Sequence, residues 1–182
     1  MKVLVDTSLW SIALRRSGTR STEDQFLVRE LSDLLNNVKV VMIGPIRQEL
    51  LSGISSPVQY DALKEKLQAF EDLLLPREYY EKAAEFYNTC RRAGVQGSPT
   101  DFLICATAAE AGMQIFSSDK DFMLYGKHLP ITLYQPVRGE TIRFVPGTDD
   151  PIPSLRGRGR GQKTTERLLA ERKKDRDREE NI

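Results

Sequence analysis

The chain opens with Val3-Leu4-Val5-Asp6-Thr7-Ser8-Leu9-Trp10: a short apolar run, an acid, two hydroxyls and the start of a new apolar periodicity. Val3-Leu4-Val5 is rich in β-branched residues and has no polar member, which suits a short strand buried on both faces. From Thr7 to Arg15 the apolar residues Leu9, Ile12 and Ala13 recur at helical spacing. A strand that passes directly into a helix is the unit of an α/β fold, and the aspartate stands at the junction.

The same alternation continues outward. Thr22-Glu23-Asp24-Gln25 reads as a capping box that starts an amphipathic helix through Phe26, Leu27, Glu30, Leu31, Leu34 and Leu35. Val38 to Ile43 is the second strand. Gly44-Pro45 opens the next helix with proline in its first turn, and Ser52-Gly53 closes it. Helical stretches at 57–70 and 77–93 flank Leu73-Leu74-Leu75-Pro76, which is either a third strand or the apolar end of a helix. After a loop over Gly94 to Ser98, Ser98-Pro99 supplies an N-cap and an N1 proline for a helix to about residue 112. Gln114 to Ser117 is a strand, 119–125 a turn and short helix, and Ile131-Thr132-Leu133 the last strand. The expected architecture is a three-layer α/β domain, a mostly parallel central sheet flanked by helices, ending near residue 147.

Composition agrees with one such domain. The chain has 182 residues, a mass of 20.7 kDa and 40% apolar content, enough to fill one core. No apolar run is long enough for a membrane span, and the acid at position 6 is foreign to a signal peptide. Cys90 and Cys105 are too few and too far apart for a disulfide framework or a zinc knuckle. A cytoplasmic protein is expected. The net charge of +1 conceals a split: residues 156–182 hold ten basic and six acidic residues, leaving residues 1–155 at −3. Residues 148–182 therefore read as a basic appendage. Its Arg156-Gly157-Arg158-Gly159-Arg160-Gly161 run is expected to be unstructured alone.

Ligands of a parallel α/β sheet bind beyond the carboxyl ends of the strands. Asp6 follows the first strand, Glu49 sits on the helix after the second, Asp101 lies in the first turn of the Ser98-Pro99 helix, and Asp119 and Asp121 follow the strand at 114–117. Each has an ordinary explanation. Asp6 could cap a helix, Asp101 at N3 favours the helix dipole, and Asp119 or Asp121 could be a turn residue. Glu49, at the margin of an apolar stripe, is expected to need a partner or a cation. Together they are harder to dismiss, because two carboxylates about 4 Å apart repel by roughly 4 kcal/mol at an effective dielectric near 20. Oxygen-only ligands without His or Cys select hard ions such as Mg²⁺ or Mn²⁺. The lone His128 is read as a surface residue.

The chain resembles PIN-domain ribonucleases, and among them the VapC toxins of toxin–antitoxin pairs. The likeness rests on Val5-Asp6-Thr7-Ser8-Leu9-Trp10, on Pro45-Ile46-Arg47-Gln48-Glu49-Leu50-Leu51-Ser52-Gly53, on Pro99-Thr100-Asp101-Phe102-Leu103-Ile104-Cys105-Ala106-Thr107-Ala108, and on Ser117-Ser118-Asp119-Lys120-Asp121-Phe122. It covers about residues 1–135, with the acids 43, 52 and 18 residues apart. The resemblance implies an acidic quartet of Asp6, Glu49, Asp101 and Asp119 that holds Mg²⁺, with Asp6 and Asp101 as its best ligands. Thr7, Ser8, Ser117 and Asp121 would support it, Ser117 standing where a threonine is often found. The resemblance further implies Mg²⁺-dependent cleavage of RNA, homodimerisation and inhibition by a cognate antitoxin. The appendage after residue 147 is a departure from it.

RNA needs cations to meet phosphate. Lys120, between two site aspartates, is the first candidate, followed by Arg15 and Arg16; Arg20, Arg91 and Arg92 could also ring the groove. The Arg-Gly tail resembles sequences that hold single strands electrostatically. Other readings are a PIN-type RNA-processing nuclease or RNA-binding module that is not a toxin, a receiver-like domain, and a haloacid-dehalogenase-like phosphatase. The phosphatase normally has a second acid two residues after the first, and position 8 is Ser.

Overall fold

The computed structural model describes residues 1–14 and 20–136. Arg15, Arg16, the boundary near 147 and the 148–182 tail lie outside the described residues. The strands are β1 (Val3–Val5), β2 (Val40–Ile43), β3 (Asp72–Leu73), β4 (Gln114–Phe116) and β5 (Thr132–Leu133). The helices are α1 (Thr7–Leu14), α2 (Thr22–Asn36), α3 (Gly44–Leu51), α4 (Pro57–Leu67), α5 (Arg77–Arg92), α6 (Pro99–Glu110) and α7 (Asp121–Tyr125). The five strands form one sheet in the order β3-β2-β1-β4-β5, every pairing parallel, with helices flanking it. The expected α/β architecture is the one found.

β1 is central and buried at all three positions, as its unbroken apolar run requires. The chain travels outward from β1 to β2 on one side and returns to β4 on the other. The strand order therefore reverses between β1 and β4, and in such sheets the crevice beyond the carboxyl ends at that reversal is where ligands bind. Val5 pairs with Phe116, so the next residues, Asp6 and Ser117, emerge side by side.

Several boundaries differ from the expectations for local reasons. The cap of α2 is Ser21, one residue earlier than expected, and it exchanges hydrogen bonds with Asp24 as N3. β2 starts at Val40 because Val38 has φ +53°; its N–H bonds Leu35 O and that of Lys39 bonds Leu34 O, closing α2 before the strand begins. Leu73 is in a strand, paired with Ile43, but Leu74 is exposed, so the apolar run leaves the sheet after one residue.

Arg47 pins this edge. Its guanidinium holds Asp72 at 2.6–3.0 Å and donates to the carbonyls of Leu67 and Phe70 at 2.9 and 2.7 Å. That fixes α3, and hence Glu49, against the start of β3. On the other side of the sequence, Phe102 through Ala108 of α6 are all buried. A helix apolar on every face is embedded rather than laid on a surface, so Asp101 in its first turn has a rigid base.

Candidate active site

Asp6 is 4% exposed, which is rare for an aspartate. Its Oδ2 accepts three hydrogen bonds: Ser8 N–H at 3.2 Å, Ser8 Oγ at 2.6 Å and Ser117 Oγ at 2.8 Å. The two hydroxyls accept in turn, Ser117 Oγ from Asp119 N–H at 2.9 Å and Ser8 Oγ from Ser118 N–H at 3.2 Å. Since each hydroxyl has one proton and spends it on Oδ2, the backbone after β4 and the start of α1 are locked around one carboxylate oxygen. Ser8 and Ser117 are thus the two hydroxyls that hold Asp6 Oδ2.

Asp6 Oδ1 is different. Thr7 Oγ1 lies 3.2 Å from it but 2.7 Å from Glu49 Oε2. One proton cannot serve both acceptors, and the shorter contact takes it, so Thr7 ties Glu49 into the cluster and leaves Oδ1 without a donor. Glu49 itself is exposed, and what holds it is this hydroxyl and the anchoring of α3.

Asp101 divides its oxygens in the same way. Oδ2 accepts Ser98 N–H at 2.8 Å while Ser98 Oγ accepts Asp101 N–H at 3.1 Å, a complete capping box. The hydroxyl of Tyr125 also donates to Oδ2, at 3.2 Å, and lies 3.3 Å from Gln96 O. Oδ1 has no hydrogen-bond partner among the described residues. The capping and site readings of Asp101 are thus compatible: one oxygen starts the helix and the other remains.

Tyr125 is fully buried against Phe102 and Phe122. A Cβ at Gly97 would come within 2.8 Å of its Cζ and 2.9 Å of the Phe102 ring, so only glycine leaves room for this packing. Sequence reasoning missed Tyr125, which lies in a short amphipathic segment with no motif around it.

Asp119 is exposed, its N–H donating to Ser117 Oγ and its Oδ1 accepting Asp121 N–H at 2.9 Å. It is therefore both the turn residue that begins α7 and a neighbour, through Ser117, of Asp6. Asp121 and Lys120 are exposed, with no side-chain bond among the described residues. Arg20 donates to the carbonyls of Ile12 and Ala13 at the end of α1. Arg91 lies over the Tyr87 ring and Arg92 bonds Thr89, both at the end of α5.

The electrostatics follow from this geometry. Burial, with the Asp6 charge as a further cause, raises the pKa of Asp101 above the usual carboxylate value. Neither these two acids nor Glu49 or Asp119 forms an ion pair among the described residues. No group of three His, Cys, Asp or Glu side chains among the described residues is close enough to hold a metal as placed. The Asp6 charge is felt at Asp101, the Glu49 carboxylate is tied in through the Thr7 hydroxyl, and Asp119 is tied in through its backbone N–H on Ser117 Oγ. That set fits Mg²⁺, which keeps several waters and takes one or two carboxylates, better than an ion that demands a full protein cage.

Residues 3–127 match the family model of the PIN domain. In solved structures, the chain is similar to FitAcB from Neisseria gonorrhoeae, with TM-score 0.58 and 18% identity over 73% of this chain and 96% of that one. It is likewise similar to VapBC2 from Rickettsia felis bound to a DNA fragment from their promoter, with TM-score 0.57 and 16% identity over 74% and 98%. In sequence it is 26% identical over 125 residues to the DNA replication and repair protein RecF of Acholeplasma laidlawii (strain PG-8A), 68% of this chain but only 36% of that relative.

Proposed function

This chain belongs to the PIN-domain family, a family of nucleases, and we propose that it is an endoribonuclease that uses Mg²⁺, or Mn²⁺ in its place, and acts as a toxin restrained by an antitoxin. One observation carries the catalytic part: Asp6 and Asp101 each commit Oδ2 to protein donors, Asp101 Oδ1 has none and Asp6 Oδ1 has only the Thr7 hydroxyl it shares with Glu49, with no cation paired to either among the described residues.

Mg²⁺ bound there supplies charge neutralisation for the phosphodiester and a more acidic attacking water. The residues of the chain do the remainder. Asp6 Oδ1 and Asp101 Oδ1 are the proposed direct ligands, oriented by Ser8, Ser117, Ser98 and Tyr125. Glu49, held by Thr7 at 2.7 Å with its other oxygen uncommitted, is placed to take the proton of the attacking water. As the water oxygen bonds to phosphorus, the P–O ester bond breaks, the leaving oxygen takes a proton from solvent water, and Glu49 returns its own to solvent. Asp119 completes the acidic edge, and Asp121 supports it. Lys120 meets the phosphate oxygens, and Arg15 and Arg16 are proposed to extend that contact along the strand.

The likeness to FitAcB and VapBC2 supports an antitoxin partner, and a homodimer is proposed with it. Among the described residues no helix is long and apolar enough to cross a membrane, and the proposed place of action is the cytoplasm. Single-stranded RNA and DNA of one sequence, incubated with the purified chain in Mg²⁺ or EDTA, test the reading. RNA should be cut only with Mg²⁺; cleavage unaffected by EDTA, or none at all, would overturn it. RNA cleavage without growth arrest on expression would remove the toxin role alone.

A further inference from the structure

Beyond the carboxyl ends of β4 and β5, beside the acidic cluster, lies a recess of about 170 Å³ that the chemistry above does not use. It shares Ser117 and Asp119 with the cluster, so its contents adjoin the network around Asp6. Its walls combine aliphatic Leu27 and Leu133 with the Phe116 and Tyr134 rings, which meet edge to face 5.1 Å apart, and with Met123 at 64% exposure. The Tyr134 hydroxyl is bound to Glu30 at 2.5 Å, which leaves its ring as the surface on offer. Lys120 and Gln135 line the same recess, both exposed and neither with a side-chain hydrogen bond or ion pair among the described residues.

Pockets for drug-sized ligands run roughly 300–1,000 Å³, so this recess takes a single ring system. An aromatic and thioether slot with one free amide and one free ammonium suits a base that carries its own phosphate. We propose that the recess is a nucleobase subsite: the base next to the scissile phosphate stacks on Tyr134 and Met123, Gln135 reads its hydrogen-bonding edge and Lys120 meets its phosphate. The position of that phosphate rests on the nuclease reading, but the recess itself binds a ribonucleoside monophosphate without any cleavage.

The test uses the full chain with ¹³C-methyl methionine, titrated with AMP, CMP, GMP, UMP and inorganic phosphate. Of the four methionines, Met123 lines the recess and Met42 is in the core as an internal control. The Met123 methyl should move upfield and saturate with at least one nucleotide, while Met42 stays still. Lys120→Ala and Gln135→Ala, both at exposed positions, should each weaken that binding about fivefold or more. A Met123 signal unmoved by every nucleotide, or moved equally by inorganic phosphate, would overturn the proposal. RNA cleavage with a silent Met123 removes the subsite and leaves the nuclease; a responsive Met123 without RNA cleavage does the reverse.

Discussion

Ser117 Oγ, one residue past β4, donates a 2.8 Å hydrogen bond to Asp6 Oδ2, one residue past β1. This contact joins the two central strands at the point where the strand order reverses, and it accepts the Asp119 N–H at the same time. Partners that orient a metal-binding carboxylate typically contribute 10–100-fold to affinity or activity. Ser117→Ala should therefore lower RNA cleavage by roughly 10-fold or more, with a parallel loss of Mg²⁺ affinity, and Ser117→Thr should restore most of it. Isothermal titration with Mn²⁺ and a cleavage assay on the same samples check both.

Tyr125→Phe removes one donor from Asp101 Oδ2 and leaves the capping box in place. Divalent affinity should fall by roughly 10-fold while the melting temperature changes little, because a typical hydrogen bond contributes only about 0.5–1.5 kcal/mol. Gly97→Ala, which pushes into the Tyr125 and Phe102 rings, should lower both affinity and melting temperature. Equal melting temperatures for Gly97→Ala and wild type would show that the packing is looser than described.

The raised pKa of Asp101 makes a signed prediction for the metal-free protein. A carboxyl with a higher pKa folded than unfolded binds more protons when folded, so its contribution to stability is lost as pH rises through that folded pKa. In EDTA, Asp101→Asn should stabilise the chain relative to wild type at pH 7 and less at pH 4. With saturating Mg²⁺ the order at pH 7 should reverse, because the ion favours the charged form. Thermal melts at the two pH values, with and without Mg²⁺, measure it.

Val38, 67% exposed at φ +53°, is strained by its branched side chain and buries little. Val38→Gly relieves that conformation at some cost in unfolded-chain entropy, and a net gain of about 0.5–1 kcal/mol is expected by urea denaturation.

The alternation of strands and helices was legible because it depends on local signals: β-branched runs, Ser98-Pro99, Gly44-Pro45. So was the placement of Asp6 and Asp119 just beyond β1 and β4, since the end of a parallel strand is a fixed place in such a fold. Less legible were the means of holding them. Glu49 was expected to need a partner or a cation, and its partner, the Thr7 hydroxyl 42 residues away in sequence, is one that no local pattern points to. Tyr125 reaches Asp101 across 24 residues, a contact that depends on how α7 packs against α6 and that no local pattern encodes. The short β3 could not be separated from a helix end, since two residues carry no periodicity.

The proposed role of the Asp6 and Asp101 carboxylates is tested most directly by the rate of single-stranded RNA cleavage in Mg²⁺ for wild type, Asp6→Asn and Asp101→Asn. Both variants keep the size of the side chain and, through the amide oxygen, part of its hydrogen bonding. Each should lose activity by about 100-fold or more, beyond what an orienting residue contributes. Variants that cut RNA as fast as wild type, with the same need for Mg²⁺, would contradict the assignment.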